Sequence, residues 1–252
     1  LRRFQGERDL QLRVGGVDLL ASVPGPRGHS VAANGELKTF QDVIDALKAG
    51  KINMGASGFG NGPHVIMQAI AEVAGIKEIN YVTFDGDRSI ATAVLAGEIE
   101  AGIVTFSSAI DMAQAGTIKA VVVMTREPMK ITDTITIDPI VSVLPGSEKI
   151  PDLGETWPIC VRRDAPQEIK DKITEAFLWA IKQPEIEEYT KKKGLNIVGL
   201  TGEDADRFIS LQISGYAWVL HNSGMTEKSP EVFGIPKLAD WNWETEKKKL
   251  TK

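Results

Sequence analysis

Runs of apolar residues alternate with amphipathic stretches along most of the chain, which predicts strands and helices that follow one another through short loops. Apolar runs with strand character cover 52–54, 79–84, 99–105, 118–124 and 157–161, and an earlier run covers 17–23. Helical patterns cover 40–49, 63–74, 89–96, 107–115, 166–183 and 203–220. This alternation predicts an α/β protein whose sheet is covered by helices on both faces.

Local signals mark several of the expected helix boundaries. Thr39 fits the N-cap of the helix that follows it, and Gly50 fits its terminator. The apolar face of this helix comprises Phe40, Val43, Ile44 and Leu47. Gly97 and Gly116 stand where a left-handed C-cap commonly ends a helix.

The carboxy-terminal helices carry apolar stripes that predict core packing. In the helix at 166–183, the stripe comprises Ile169, Ile173, Phe177 and Ile181. In the helix at 203–220, for which Thr201 is the expected cap, the inward-facing residues comprise Phe208, Leu211 and Trp218. Beyond Gly224 the composition shifts, so we expect residues 226–252 to form a loosely attached tail with a solvated run of lysines.

The stretch 52–74 joins a strand, a glycine-rich loop and a helix. The loop contains Gly55, Gly58, Gly60 and Gly62. Pro63 stands where proline fits a helix start, and unpaired amide N–H groups there lie at the positive end of the helix dipole. Ser57 and Asn61 add side-chain donors, and the loop contains no Lys or Arg. The pattern indicates a site for a carboxylate or phosphate, although many α/β proteins have a similar strand–loop–helix connection that binds no ligand.

An enzyme interpretation of the same stretch remains as an alternative. A strand, a glycine loop, a helix and a second strand ending at Asp85 imitate a nucleotide-cofactor-binding α/β enzyme, in which an acidic residue contacts the ribose. The match is loose because Gly58, Gly60 and Gly62 are spaced G-x-G-x-G rather than G-x-G-x-x-G. Pro63 also stands where the third glycine of that motif would be needed.

Composition narrows the classes of function. The chain has 252 residues, of which 42% are hydrophobic and 25% charged, as in an ordinary globular protein. Its formal net charge of −5 argues against nucleic-acid binding, which normally requires a basic face. Cys160 is the only cysteine, so an internal disulfide is excluded. No apolar run approaches the roughly 18 residues that a membrane span needs.

Catalytic and metal-binding patterns are poor. His29, His64 and His221 lie far apart in the sequence, and none stands at metal-ligand spacing from a cysteine or an acid. The residues around Ser57 do not form the G-x-S-x-G nucleophile elbow, because the second glycine comes one residue early. We therefore expect no catalytic residue, no metal and no cofactor, and we interpret His64 as structural or exposed rather than catalytic.

A family resemblance extends over about residues 17–225. The segments LKTFQDVIDALKAGKINMGASGFGNGPH, NYVTFDGDRSIATAVLAGEIEAGIVTFSSAIDMAQAGTIKAVVVMT and ICVRRDAPQEIKDKITEAFLWAIKQPEIEEYTKKKGLNIVGLTGEDADRFI follow one another in order. Their landmarks are the glycine loop before a helix, the Leu95-Ala96-Gly97 stop followed by Glu100, Ala115-Gly116 before a strand, and a proline-led helix after a strand. In order and spacing the chain resembles the tripartite tricarboxylate transporter receptors, also called Bug receptors.

The resemblance implies a periplasmic solute-binding receptor that captures a small carboxylate, delivers it to the subunits of a membrane permease and performs no catalysis. The implied fold is an α/β, periplasmic-binding-protein-like (type II) two-lobed architecture with one lobe complete and the other partial. We expect residues 36–157 to form the second lobe. We expect 1–35 and 158–225 to form the partial first lobe, followed by the 226–252 tail.

Ligand-binding residues can be carried over from the resemblance position by position. The expected set comprises Ser57, Gly58, Asn61, Gly62, Phe84 and Thr105. Family receptors hold the ligand between the lobes largely through backbone amides, hydroxyls and water. Two departures bear on the ligand: Asp85 stands where a lysine is common, and Val104-Thr105 stands where many members have Asp-Asn.

The front of the chain departs further from the family. Most of the family's first lobe should precede residue 17, and no signal peptide is recognisable, because Arg2 and Arg3 are followed by no apolar core. The helices at 166–183 and 203–220 would then be loosely packed, covered by residues 1–30, or paired with a second chain. We therefore expect the chain to self-associate and to bind its acid more weakly than an extended version would.

Overall fold

The computed structural model describes residues 17–24, 29–33, 35, 37–150, 156–193, 197 and 199–250. The strands are β1 Val17–Pro24, β2 His29–Ala33, β3 Met54–Ala56, β4 Tyr81–Thr83, β5 Ala101–Thr105, β6 Lys119–Val123, β7 Met129–Lys130, β8 Thr136–Ile137 and β9 Thr156–Arg162. The helices are α1 Phe40–Lys48, α2 Gly62–Ala74, α3 Asp87–Ala96, α4 Phe106–Gln114, α5 Ile140–Val143, α6 Gln167–Ala180, α7 Pro184–Lys193, α8 Gly202–Asn222 and α9 Trp243–Leu250.

A five-stranded mixed sheet forms the centre of the described structure. Its strand order is β4-β3-β5-β2-β6. β3 pairs in parallel with β4 and β5, whereas β2 runs antiparallel to both β5 and β6. The carboxyl ends of β3, β4, β5 and β6 therefore lie at one edge, which we call the carboxyl edge.

A second, two-stranded sheet lies outside this arrangement. β1 pairs with β9 in antiparallel fashion, with Val17 opposite Arg162. β2, which sequence analysis assigned to the segment 1–35, is a strand of the five-stranded sheet, between β5 and β6. The chain therefore leads from the smaller sheet into the larger one after β1 and returns to the smaller sheet at β9. The division into lobes remains a prediction.

Most predicted elements are confirmed, with shifts of a few residues. α1 begins at the predicted cap: the Thr39 side chain accepts from the Asp42 amide at 3.2 Å, and the Asp42 carboxylate accepts from the Thr39 amide at 2.8 Å. The first strand of the glycine unit is β3 rather than 52–54, because its pairing with β4 and β5 begins at Met54. α7 was not predicted, because its sequence is highly charged. Thr190, which is buried in it, is a polar residue.

Two hydrophobic cores cover the two faces of the sheet, as predicted, and a smaller third cluster includes Phe106 and Val123. Neighbouring residues of one strand alternate between the first two cores, with Val31 in the first and Ala32 in the second. The first core includes Phe40, Ile44, Met54, Met67, Ile70, Ile103 and Val219. The second core includes Ile90, Val94, Ile99, Val104, Ala109 and Ile118. α1, α2 and α8 thus cover one face, and α3 and α4 cover the other.

Two glycines at the centre of the sheet allow α3 to pack closely against it. Gly55 of β3 and Gly102 of β5 lie opposite each other in parallel register. A Cβ at Gly55 would lie 2.8 Å from Ile90 Cγ2, and a Cβ at Gly102 would overlap the same atom. Ile90 therefore fills the space above both glycines. This contact fixes the beginning of α3 relative to the ends of β3 and β5.

The stripe predictions for the carboxy-terminal helices were partly wrong. In α6, Phe177 is buried, but Ile169 is 46% exposed. In α8, Leu211 is 38% exposed, and the buried positions are mostly small or polar residues. They are Ala205, Ser210, Gln212, Ser214, Gly215 and Val219. The small side chains lie where other segments approach α8 closely, so large apolar side chains alone did not identify its packed face.

The segment after Gly224 is packed against α8, so the prediction of a loosely attached tail was wrong. Trp241 Nε1 donates to Ser210 Oγ at 3.2 Å, and Trp243 Nε1 donates to Glu203 Oε1 at 2.9 Å. Trp243 is buried. The lysine run lies in α9, where Lys247 forms an ion pair with Glu203 at 2.5 Å. The buried ring of Trp243 and the hydrogen bonds from both tryptophan N–H groups hold this segment in place.

We expect Gly102→Ala to destabilise the fold by about 1–3 kcal/mol, because the new Cβ overlaps Ile90 Cγ2. Denaturant titration measures the change in the free energy of unfolding. Ile90→Ala alone should also be destabilising, through the cavity that it leaves. The double variant should lose less stability than the sum of the two single losses. Truncating Ile90 makes room for the new Cβ, and the new Cβ fills part of the cavity. Strict additivity would show that this contact does not limit the packing of α3.

Candidate ligand site at the carboxyl edge

The carboxyl edge brings together loops that lie far apart in the sequence. The loop 57–61 follows β3, 84–86 follows β4, and α4 begins directly after β5. α2, α3 and α4 all begin at this edge, so their positive dipole ends face the same region. The parallel strands thus assemble the three predicted ligand segments, around Ser57, Phe84 and Thr105, at one edge of one sheet.

Glycine conformation and an asparagine cap shape the loop 57–61. Gly58 and Gly60 have φ angles of 121° and 82°, which other residues rarely adopt. Asn61 Oδ1 accepts from the His64 amide at 3.1 Å, and Asn61 Nδ2 donates to Ser57 Oγ at 2.8 Å. Asn61 therefore acts as the N-cap of α2 and ties the loop to Ser57. The Ser57 hydroxyl accepts this bond and retains its own hydrogen for donation.

Backbone amides of the loop supply the donors of the site. In the described part of the chain, the amide N–H groups of Gly58, Phe59, Asn61 and Gly62 donate to no protein acceptor. Pro63, at the second position of α2, has no N–H group to offer. A carboxylate over the loop could accept several of these bonds, together with one from the Ser57 hydroxyl. The geometry suits one anionic group beside the start of α2.

Buried His64 supports the loop from below. The Gly60 amide donates to His64 Nδ1 at 3.2 Å. The His64 ring lies in edge-on contact with Phe59, whose ring centroid is 5.1 Å away, and in tilted contact with Tyr81 at 4.8 Å. Burial lowers the pKa of His64 from its usual value. His64 is 1% exposed, so of the two roles predicted for it the exposed one is excluded, and the structural role stays a prediction.

Thr105 is held by an acidic residue that sequence analysis missed. Asp87 Oδ2 accepts from the Thr105 amide at 2.7 Å and also from the Thr105 hydroxyl. Thr105 is buried, and its Oγ1 lies 3.2 Å from Ser108 Oγ. The structure therefore commits the Thr105 hydroxyl hydrogen to Asp87. Two helix starts meet in this contact, and no signal within 85–88 predicts a partner eighteen residues away.

Phe84 lies at the end of β4 and packs mainly inward. Its amide donates to the Ala56 carbonyl at 3.0 Å, which extends the β3–β4 pairing beyond the strands. Its ring packs against the second core, and Cε2 is 3.5 Å from the position of a Cβ at Gly55. Phe84 is half-buried, so part of its surface remains open to solvent.

Charge at the carboxyl edge is mostly negative or neutralised. Asp85 is exposed and Asp87 is half-buried. Arg88 Nη1 lies 2.5 Å from Asp111 Oδ1, and the same nitrogen donates to the Ser108 carbonyl at 3.2 Å. The hydrogen bond from Arg88 lowers the pKa of Asp111. Arg88 therefore joins α3 to α4 rather than projecting as an isolated cation.

Among the described residues, no group of three or more His, Cys, Asp or Glu side chains could hold a metal ion. No helix in this part of the chain is both long and apolar enough to cross a membrane.

One family of proteins matches most of the sequence. The tripartite tricarboxylate transporter family receptor (TctC) model matches residues 16–225. This range begins just before β1 and extends just beyond α8, so it includes the whole five-stranded sheet. No curated protein sequence matches the chain.

Several solved structures have a similar fold. A TctC solute-binding protein from Polaromonas has a TM-score of 0.66 and 16% identity, over 84% of this chain and 72% of that chain. The R. palustris protein Rpa4515, solved with adipate, has a TM-score of 0.66 and 17% identity, over 83% and 69% of the two chains. MatC from Rhodopseudomonas palustris, solved with malate, has a TM-score of 0.62 and 18% identity, over 82% and 69%. At these identities the similarity establishes the fold.

We expect Asn61→Ala to destabilise the protein by about 1 kcal/mol, because α2 loses its N-cap. The variant also loses the bond to Ser57 that ties the loop. Denaturant titration measures the change in the free energy of unfolding, provided that its dependence on denaturant concentration is the same in both proteins. Asn61→Ser is the matched control, since serine also caps well and should restore most of the stability. Equal stability of wild type and Asn61→Ala would contradict this role for Asn61.

Proposed function

The chain belongs to the tripartite tricarboxylate transporter receptor family of solute-binding proteins, and we propose that it binds its carboxylate at the carboxyl edge. The observation that supports this proposal most strongly is the family match over residues 16–225, which includes every loop of that edge. In this function the protein captures a small acid and presents it to a membrane permease. The two similar structures solved with adipate and malate support a small carboxylate as the ligand class.

The loop 57–62 would bind the carboxylate by direct hydrogen bonds. The donors are the amides of Gly58, Phe59, Asn61 and Gly62 and the Ser57 hydroxyl, with the dipole of α2 behind them. A helix start carries roughly half an elementary charge, which balances part of one carboxylate without a cation. This arrangement suits a receptor that must also release its ligand, because it lacks the strong paired contact of a buried Arg.

Phe84 and Thr105 would complete the site in different ways. The open part of the Phe84 ring offers an apolar surface beside the loop. Thr105, held by Asp87 Oδ2, would shape the floor between β5 and α4. In this proposal, Gly58 and Gly62 contribute through their backbones, and Asn61 contributes its amide while its side chain holds the loop.

The family is periplasmic, and we propose that this chain also functions in the periplasm without catalysing a reaction. His64, the histidine beside the proposed site, is buried and uses Nδ1 to hold Gly60. Its Nδ1 is therefore not available to accept a proton from a molecule bound over the loop. Fractionation of cells that express the gene is the direct check on location.

We expect Ser57→Asp to weaken ligand binding by about 1–4 kcal/mol, because it places a like charge beside the bound carboxylate. The introduced carboxylate can still accept from the Asn61 side chain, so the loop should keep its shape. Ser57→Asn is the neutral control and should bind far more tightly than the charged variant. Calorimetry with adipate and with malate measures the affinities.

Unchanged affinity in Ser57→Asp would place the ligand elsewhere. Chromatography of the recovered calorimetry samples should return the acid chemically unchanged. A new product that depends on active protein would instead favour the cofactor-enzyme alternative.

We further expect the chain to self-associate through apolar side chains on β9, α6 and α7. Trp179 is 66% exposed and Tyr189 is 56% exposed, which is unusual for large aromatic residues on a monomer. Sedimentation equilibrium should show a species larger than the monomer, and Trp179→Glu should shift it toward the monomer. Glu175→Gln, an exposed change on the same helix, is the control. A strictly monomeric wild type over the accessible concentrations would contradict this expectation.

A further inference from the structure

His64 occupies a position between the ligand loop and the edge of the sheet. It lies on the first turn of α2, yet its ring is 1% exposed. Phe59 covers it from the loop, and Tyr81 contacts it from β4. Phe59 is itself 49% exposed, so the loop places a large apolar ring over a polar one. A buried histidine in such surroundings needs partners for both ring nitrogens.

The hydrogen bonds of His64 identify its tautomer. An amide N–H can only donate, so the contact from Gly60 at 3.2 Å makes Nδ1 the acceptor. A neutral ring then carries its proton on Nε2. The Gln68 side-chain nitrogen lies 3.3 Å from His64 Nε2 and 3.4 Å from the Tyr81 hydroxyl. A half rotation of the Gln68 amide would place its oxygen there, where it would accept from the protonated Nε2.

The bond to Nδ1 constrains the part of the loop that bears the free amides. Gly60 lies between Phe59 and Asn61, and its φ of 82° is one of many conformations open to glycine. Because the peptide unit is planar, fixing the Gly60 nitrogen also orients the carbonyl of Phe59. It thereby limits the backbone conformations of the two residues beside Gly60. A loop held in its binding conformation before the ligand arrives loses less entropy on binding.

We propose that His64 is a positioning residue for the ligand, which acts by holding the Gly60 amide through a neutral imidazole and releases the loop when the ring is protonated. A protonated ring has N–H groups at both positions and cannot accept from Gly60. The loss of this bond frees the loop without removing any atom that contacts the carboxylate. The inference rests on the proposed function, since it assigns His64 a role in the affinity of that same site.

The groups around the His64 ring indicate that its own protonation, rather than that of a neighbour, would break the bond to Gly60. The loop contributes Phe59 and the Gly60 backbone, α2 itself contributes Gln68, and β4 contributes Tyr81. α8 also packs against α2 and brings Tyr216 into the first core. Tyr81 is the titratable group in contact with the ring, and burial raises its pKa, so it stays neutral. Among the described residues, no charged side chain contributes to the lowering of the His64 pKa.

The sign of the pH dependence follows from this environment. Burial lowers the pKa of His64 in the folded protein below its usual value of about 6.5. The ring is therefore neutral, and the loop held, at and above that value. As the pH falls through the lowered pKa, the ring is protonated and the contact with Gly60 is lost. Ligand affinity should fall in the same interval, in addition to any effect of protonating the acid itself.

Two variants of His64 separate the acceptor from the charge. His64→Asn places an amide oxygen near the position of Nδ1 and cannot be protonated, whereas His64→Leu fills similar space without an acceptor. At about pH 8, the leucine variant should bind adipate or malate about tenfold more weakly, and the asparagine variant should stay close to wild type. As the pH is lowered from about 8 through the pKa of His64, wild-type affinity should fall several-fold relative to His64→Asn.

A matched control is available on α8. His221 is also partly buried, lies 3.3 Å from the Thr226 hydroxyl through Nδ1 and contacts an aromatic ring, that of Trp218. His221→Asn therefore makes the same chemical change away from the loop. It should keep the wild-type pH profile of affinity. Loss of the pH dependence in His221→Asn as well would show that His64 is not its source.

A second readout needs no ligand and no variant. In protein labelled with nitrogen-15 at glycine, the Gly60 amide resonance should move with the pH as His64 titrates, below about pH 6.5. A Gly60 amide resonance whose chemical shift does not change with pH would overturn the positioning role. Equal ligand affinities of His64→Leu and wild type would overturn it as well. If neither acid binds the wild type, the proposed ligand class has failed, and the Gly60 titration still decides the role of His64.

Discussion

Parallel pairing of β3 with β4 and β5 is the constraint on which the rest of the site depends. It forces three loops and three helix starts to one edge of the sheet, although they are separated by tens of residues along the chain. The central contact in this pairing lies between Gly55 and Gly102, where the absence of side chains admits Ile90 of α3. Because Asp87 lies one turn before Ile90, the same packing brings its carboxylate to Thr105. Close packing on one face of the sheet thus orders polar contacts at its edge.

The proposed site would bind negative charge through backbone amides rather than through a cation. In the loop after β3, the amides of Gly58, Phe59, Asn61 and Gly62 stay available, whereas the Gly60 amide donates to His64. The side chains of Asn61 and His64 use their own polar atoms to shape the loop. Arg88 is paired with Asp111 and serves the contact between α3 and α4. Such a division of roles is reasonable in a receptor, because backbone donors give direction to binding while the attraction stays moderate. In our proposal, loop conformation, and hence His64, controls the affinity of this site.

Sequence patterns predicted well wherever the physical cause is local. The Thr39 cap, the glycine stop at Gly97 and the strand–loop–helix order around Ser57 depend on residues within a few positions, and all were read correctly. Contacts between distant segments were missed: Asp87 with Thr105, Phe59 and Tyr81 with His64, and the tryptophans that pack on α8. Leu211 shows the same limit, since an apolar stripe predicts a buried face only when the neighbouring elements cover it. The family resemblance supplied the function, which the local chemistry alone left open between a receptor and a cofactor enzyme.

A crystal structure of the protein with the small molecule that accompanies it through gentle purification would test the central claim most directly. Our account predicts a carboxylate whose oxygens lie about 3 Å from the amide nitrogens of the loop 57–62, with the Gly60 amide still bound to His64. A ligand without a carboxylate, or an acid bound away from the carboxyl edge, would contradict it.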